Sequence, residues 1–378
     1  MDEVLEKVSD PSHPMLPVTY ISSNTPLMVS ALTGPNSTHV MAILNITPDS
    51  FSDGGKLTDG NIHEKAQSYE AAGATIFDVG GQSTRPQASL VTAEEELSRV
   101  LPALKALRDS DADGGLNVAV SLDTFYASVA RACAPYVDII NDITGGTYGR
   151  DPQMLETVAN MQKTIVLMHM RGTPQTMSKS EHTDYSELEG VVRGVATELV
   201  RRLGEALAVG IPPWRIILDP GVGFAKTLEG NLELLRAGPA GLVAAQPQLA
   251  GYPWLVGPSR KGFVGKITGV KEAEDRNWGT AACVSAAVAT GADIVRVHDV
   301  EDMVKVVKMA DAIYRRPAHK DIPLRVINSP DKNVLMLQQP ISDQDNPETT
   351  NSVITLRKVE LGRTPAAARK LQPKTEGN

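Results

Sequence analysis

Several short apolar stretches of this chain end in residues able to bind, polarise or neutralise charge. Asn45 closes HVMAILN, Asp78 lies near the end of ATIFDVG, and Asp123 ends VAVSLD. Asn141 follows YVDII, Asp219 ends RIILD, Lys261 sits in SRKGF, and Arg296 and His298 belong to IVRVHD. Asp123, Asn141, Asp219 and Lys261 mix acceptors with a donor, as the edge of a planar amino-pyrimidinone heterocycle requires. A carboxylate takes the exocyclic amine and ring N–H groups, and a lysine donates to a ring carbonyl or nitrogen. A plain ion pair between Asp219 and Lys261 is the competing reading. Arg85, Lys261, Arg296 and His298 are local positive groups. Arg85 and Arg296, with Asn45 and the acidic loop TPDSFSDGG, suit a polyphosphate and its Mg²⁺, which prefers oxygen ligands and binds through substrate phosphates. The stretch GVGFAKT misses the spacing of a Walker A loop.

The elements that must carry these residues recur with a regular rhythm. Eight runs rich in Val and Ile read as strands: His39–Asn45, Ala74–Gly80, Asn117–Asp123, Tyr136–Asp142, Thr164–Met170, Arg215–Asp219, Pro253–Ser259 and Ile294–His298. Helical patterns fall between them, among them Ile62–Ala72, Ala93–Arg108, Tyr185–Ala208, Trp278–Thr290 and Asp299–Arg315. The tightest connection leaves only Phe125–Ala134 as a helix. Strand starts are about 36 residues apart, a spacing that suits βαβ units. This pattern predicts an α/β fold, a (β/α)8 TIM barrel over residues 39–317. A doubly wound open sheet is the alternative, but it gathers its site at one switch point, whereas here nearly every strand end is polar. Strand alternation points Ser121, Asp123, Arg296 and His298 inward and Val118, Val120, Leu122, Val295 and Val297 toward the helices. For any one of these polar residues a loop-bracing hydrogen bond is the simpler explanation; five or six on one rim are not explained that way.

Residues 1–38 form a lead-in without sustained period, and residues 318–378 read as an irregular tail with apolar runs at Val334–Leu337 and Ser352–Leu356, enough for a weak hairpin. The chain has 378 residues, 42% of them hydrophobic, so wholesale disorder is excluded. Its 37 basic and 45 acidic residues leave a net charge of −8, which gives no general attraction to nucleic acid or to an anionic membrane. Aromatic residues, at 4%, are too sparse for a base-stacking platform. Two cysteines exclude a disulfide framework, and the absence of a transmembrane run and of a signal sequence predicts a soluble, cytoplasmic protein. A mitochondrial location requires that a targeting segment has been removed.

The strand-end motifs, taken in order, resemble those of dihydropteroate synthase. They are MAILNITPDSFSDGG, FDVGGQSTRP, SLDTF, INDITGG, VLMHMRGTP, ILDPGVGFAKT, VGPSRKGF and RVHDV, and they span residues 39 to 316. MRGTP and the flanks are similar to those of fungal members, which implies that the chain resembles one module of a multifunctional folate-synthesis polypeptide. The resemblance implies condensation of (7,8-dihydropterin-6-yl)methyl diphosphate with p-aminobenzoate to give 7,8-dihydropteroate and diphosphate. It implies that Asp123, Asn141, Asp219 and Lys261 bind the pterin and that Asn45 is the Mg²⁺ ligand. Asn45, Thr84, Arg85, Arg296 and His298 would surround the diphosphate. Thr84, Pro86, Phe224 and Ser259 would line the p-aminobenzoate pocket. Arg85, Lys261, Arg296 and His298 are the implied catalytic set, stabilising charge on the leaving diphosphate, with loops 47–56 and 83–89 closing over the site. A homodimer packed through Trp278–Thr290 and Asp299–Arg315 is also implied.

The chain departs from the family pattern at Gln82, where Glu is common, at Gln87, where Gly is common, and at Gly262, where many bacterial relatives carry Ser. Gln82 keeps the shape of Glu but loses its charge. Gly262 leaves a roomier pocket that alters affinity for p-aminobenzoate or sulfonamides. Two rivals share the pterin-binding barrel. A methyltetrahydrofolate:corrinoid methyltransferase should lack the TPDSFSDGG and STRP loops, and both are present. A non-catalytic pterin-binding module should have lost Asn45, Lys261 or Arg296, and all three are intact.

Overall fold

The computed structural model describes residues 37–46, 62–84, 89–109, 118–146 and 153–315, together with the backbone of five short strands outside these ranges. The chain divides into two compact units, residues 1–316 and 317–378. In the first, eight parallel strands alternate with helices. The strands are β1 (His39–Asn45), β2 (Ile76–Gly80), β3 (Ala119–Asp123), β4 (Ile139–Asp142), β5 (Thr164–Met168), β6 (Ile216–Asp219), β7 (Leu255–Val256) and β8 (Ile294–Val297). They lie in the order β6-β5-β4-β3-β2-β1-β8-β7. A parallel bridge between Leu218 and Trp254, with Leu218 N–H donating to Pro253 O at 2.9 Å, brings β7 back to β6 and closes the ring. β7 is short because Gly257 and Pro258 follow it, and proline has no N–H for the ladder.

The main helices are α1 (Ile62–Ala72), α2 (Ala93–Asp109), α3 (Ala127–Cys133), α4 (Met154–Met161), α5 (Val191–Ala208), α6 (Leu228–Ala245), α7 (Gly262–Thr268), α8 (Asn277–Ala289) and α9 (Val300–Tyr314). The strands are buried on both faces, which is why they read as continuous apolar runs. Val40, Phe77, Val120, Leu167, Leu218 and Val295 face outward into the core under the helices.

The barrel interior is built in steps of two residues. Met41, Ile76, Ala119, Ile139, Val166, Ile217, Leu255 and Ile294, one from each strand, make a fully buried apolar floor. Two residues further along each strand stand Ile43, Asp78, Ser121, Asn141, Met168, Asp219, Gly257 and Arg296. This second tier is largely polar, and the change of chemistry follows from the pleat alone. The expected strands and inward-facing residues are therefore in place, with boundaries trimmed by up to three residues at either end.

Among the described residues no helix is long and apolar enough to cross a membrane. Thr19–Tyr20 pairs antiparallel with Met28–Val29 in the lead-in. In the second unit, Arg325–Asn328, Val334–Gln338 and Val353–Arg357 form a three-stranded antiparallel sheet. Both apolar runs of the expected irregular tail are strands, and a third strand extends the hairpin to a meander.

Candidate active site

The site lies where the strands end. Arg296, rising from β8, donates from Nε to Asp78 Oδ2 at 2.5 Å and from Nη2 to Asp123 Oδ2 at 2.7 Å. Asn141 Nδ2 donates to the same Asp78 oxygen at 3.0 Å. Asp78, fully buried on β2, thus orients a guanidinium and an amide from opposite sides of the mouth. Gly80 lies between Asn45 and Asp123: a Cβ there would sit 3.5 Å from Asn45 Oδ1 and 3.4 Å from Asp123 Cβ. The absence of a side chain lets those two strand tops stand side by side.

Asp219, buried at the end of β6, accepts the Gly221 N–H on Oδ1 at 2.7 Å. Its loop then turns through left-handed Gly221 and Gly223 and delivers Phe224 beneath Lys261, whose Nζ stands 3.8 Å from the ring centroid. A side chain at Gly223 would collide with the Lys261 stem, so close approach requires glycine there. Lys261 is the N-terminal cap residue of α7. Ser259 Oγ and His298 Nδ1 are 2.9 Å apart, joining the loops after β7 and β8.

Burial makes charge expensive here. It pushes the Asp219 carboxyl up to about 6, against the pull of the Gly221 N–H, Lys261, Lys226 and Arg296. It pushes Asp123 up as well, and the neighbouring Asp78 and Asp142 reinforce the shift against Arg296 and Lys261. Burial likewise works against the Arg296 charge, yet Asp78 and Asp123 outweigh it and hold the guanidinium more firmly protonated. The pocket therefore holds carboxyls ready to accept N–H donors from a ligand, together with a fixed cation.

Asn45, Asp123, Asn141, Asp219, Phe224, Ser259, Lys261, Arg296 and His298 converge on this rim. Thr84 is half-buried just beyond β2, while Arg85, Pro86 and the TPDSFSDGG loop lie outside the described residues. Arg296, expected at the diphosphate, is hydrogen-bonded to Asp123, expected at the heterocycle. Sequence reasoning placed Asp78 on the rim without seeing its shared oxygen, and it gave no role to two networks, one buried and one half-buried. In one, Glu96 accepts from Gln82 Nε2 and Thr124 Oγ1 and bridges the loops after β2 and β3. In the other, Lys226 Nζ meets His169 Nδ1, whose Nε2 meets Glu198. Among the described residues no group of three or more His, Cys, Asp or Glu side chains forms a metal cage.

A closed (β/α)8 barrel whose mouth is lined by carboxylates and a fixed guanidinium defines a class of ligand-binding barrel enzymes. The pterin binding enzyme family model matches residues 41–298, and the chain belongs to that family. The folic acid synthesis protein fol1 of Schizosaccharomyces pombe is 48% identical over 279 residues, covering 74% of this chain and 36% of that protein. The chain thus spans little more than a third of that fungal relative. The dihydropteroate synthase of Synechocystis is 46% identical over 284 residues, covering 74% of this chain and 91% of the relative. The crystal structure of a Clostridium difficile dihydropteroate synthase, determined with pteroic acid, superposes with a TM-score of 0.64 at 35% identity, over 75% of this chain and 98% of that one.

Proposed function

We propose that this chain is a dihydropteroate synthase, joining (7,8-dihydropterin-6-yl)methyl diphosphate to p-aminobenzoate in folate biosynthesis. The observation that carries the reading is the convergence of Asp123, Asn141, Asp219 and Lys261 around a guanidinium fixed by two carboxylates. Asp219 and Asn141 read the amino-pyrimidinone edge, and Lys261 donates to the ring. The methylene C–O bond breaks with its electron pair leaving on the diphosphate, and the electron-rich pterin delocalises the cationic carbon. Arg296 and His298, with Arg85, stabilise the charge growing on the leaving group. The amine nitrogen of p-aminobenzoate then bonds to the methylene and its proton passes to water or to the released diphosphate. The arylamine needs holding rather than deprotonating, so positioning by Phe224 and Ser259 dominates.

The donor set suits Mg²⁺ only as a minimal site. Asn45 offers one side-chain oxygen at the mouth, and the remaining ligands would be phosphate oxygens and water. When bound, the ion would supply further neutralisation of diphosphate charge. Trp278, Met309, Ile313 and Tyr314 are exposed on α8 and α9, which supports a homodimer through those helices. The fungal relatives' length supports a place within a longer folate-synthesis polypeptide.

Diphosphate release from the purified chain, with and without Mg²⁺ and p-aminobenzoate, tests the reading. Release that depends on Mg²⁺ and yields dihydropteroate is the expected result. Tight pterin binding without product would favour the non-catalytic module, and methyl transfer from methyltetrahydrofolate would favour the corrinoid-linked rival.

A further inference from the structure

Behind Asp219 and Phe224 lies a half-buried chain of charged groups, centred on buried His169, that the chemistry above leaves unused. Lys226 Nζ donates to Phe224 O at 2.8 Å and lies 3.0 Å from His169 Nδ1. His169, just past β5, lies with Nε2 2.8 Å from Glu198 Oε2 on α5. Glu198 Oε1 accepts from Arg171 Nε at 2.9 Å and Nη2 at 2.6 Å. Arg171 in turn stacks 3.9 Å from the Tyr185 ring centroid, and Tyr185 O–H donates to Ala225 O at 3.0 Å. The circuit closes on itself. It pins the two successive carbonyls of Phe224 and Ala225, and Ala225 is held at φ 48°, a left-handed conformation that needs such support.

While Lys226 is charged the direction of every hydrogen bond is fixed: an ammonium can only donate, so His169 Nδ1 accepts and its proton resides on Nε2, facing Glu198. Burial lowers Lys226 to about 7, against the pull of Asp219 and Glu198, so this arrangement holds below that pH. Burial, then the Lys226 charge, drives His169 down to about 3, so the ring stays neutral while Glu198 and Arg171 oppose each other beside it. A circuit with one possible proton arrangement is rigid. The backbone it grips carries the ring on which Lys261 rests.

We propose that Lys226, held by His169 and Glu198, is a positioning residue that sets the Phe224 ring, and through it Lys261, at the mouth of the barrel. The consequence for turnover rests on the synthase reading, in which Phe224 walls the p-aminobenzoate pocket; the positional claim does not.

The chain has five phenylalanines, so 4-fluorophenylalanine labelling of the full chain gives five ¹⁹F resonances, with Phe224 assigned by its loss in Phe224→Leu. In Lys226→Met and in Glu198→Gln the Phe224 resonance should move by more than its linewidth, while Lys266→Met, at an exposed position of α7, leaves it in place. The His169 ring should hold one neutral tautomer from pH 5 to 6 in the unmodified chain, where Lys226 keeps its charge. In Lys226→Met, with Glu198 and Arg171 still beside it and the ammonium gone, its pKa should rise. In turnover, Lys226→Met should raise the KM for p-aminobenzoate about tenfold per folded molecule, the effect of one lost charge-assisted hydrogen bond. An unmoved Phe224 resonance in both variants overturns the proposal, whatever the activity. A moved resonance in a chain whose unmodified form makes no dihydropteroate upholds the positioning and removes the synthase reading instead.

Discussion

Asp219 must be anionic to accept two N–H groups, yet its surroundings resist that charge. Its carboxyl loses a proton at about 6 in the folded chain, above the ordinary value of 3.8. The unfolded chain therefore releases this proton first, and folding stability falls as pH rises from about 4 to 6. By linkage the ionised group costs the ligand-free protein about 3 kcal/mol above that window. Pterin donors reverse the balance, so affinity should fall about tenfold per pH unit below about 6. Calorimetry with a phosphate-free pterin between pH 5 and 8 checks this, and a flat profile would refute it. Asp219→Asn keeps an acceptor for Gly221 but presents an amide to the ligand. We expect it to melt higher than the parent at pH 8 and to bind pterin about 100-fold more weakly, since a buried donor of the ligand is left facing another donor. A variant that loses stability and keeps affinity would show that Asp219 is a structural brace.

At the scale of elements, the loops after β7 and β8 hold each other crosswise. Ser259 pairs with His298, and the adjacent Arg260 is bidentate to Asp299, with Nη2 to Oδ1 at 2.6 Å and Nε to Oδ2 at 3.1 Å. Arg260 is held at φ 58°, with its N–H on Thr280 Oγ1 and its carbonyl on Arg276 Nη1. This left-handed residue turns the chain so that Ser259 and Lys261 both serve the mouth. Arg260→Gly should therefore be more stable than Arg260→Ala by about 1 kcal/mol in urea unfolding, because both lose the ion pair but only alanine carries the steric cost. Equal stabilities would mean that the backbone relaxes once the clamp is gone. The strand ends were legible in the sequence because a period of two and a polar terminus suffice to place Asp123, Asn141 and Arg296 inward. Helix α6 was not, because Gly238 at φ 55° and Pro239 break its pattern. The Glu198–His169–Lys226 chain was not, because its members come from three elements and look, one at a time, like an ordinary helix carboxylate, a core histidine and a loop lysine.

For the whole molecule, α8 and α9 pack side by side, with Asn277 Nδ2 donating to Asp302 Oδ2 at 2.7 Å where both helices begin. Trp278, 88% exposed, marks the start of α8, whereas Met309, Ile313 and Tyr314 lie near the end of α9. A single exposed apolar residue has no particular meaning, but several large ones on two neighbouring helices do. In the proposed dimer, a two-fold axis perpendicular to these helices would set the start of α8 on one protomer against the end of α9 on its partner, so each contact would occur twice. Trp278 would therefore face Ile313 of the second copy rather than its own. Trp278→Lys alone and Ile313→Glu alone should each shift the chain to a monomer in sedimentation, since a desolvated charge stands opposite an apolar side chain in both halves of the contact. The double variant places lysine against glutamate twice and should recover dimer at low salt, losing it again as salt screens the pair. Recovery of this kind separates a two-fold contact between these residues from general loss of apolar surface, for which the double variant would be the most monomeric of the three.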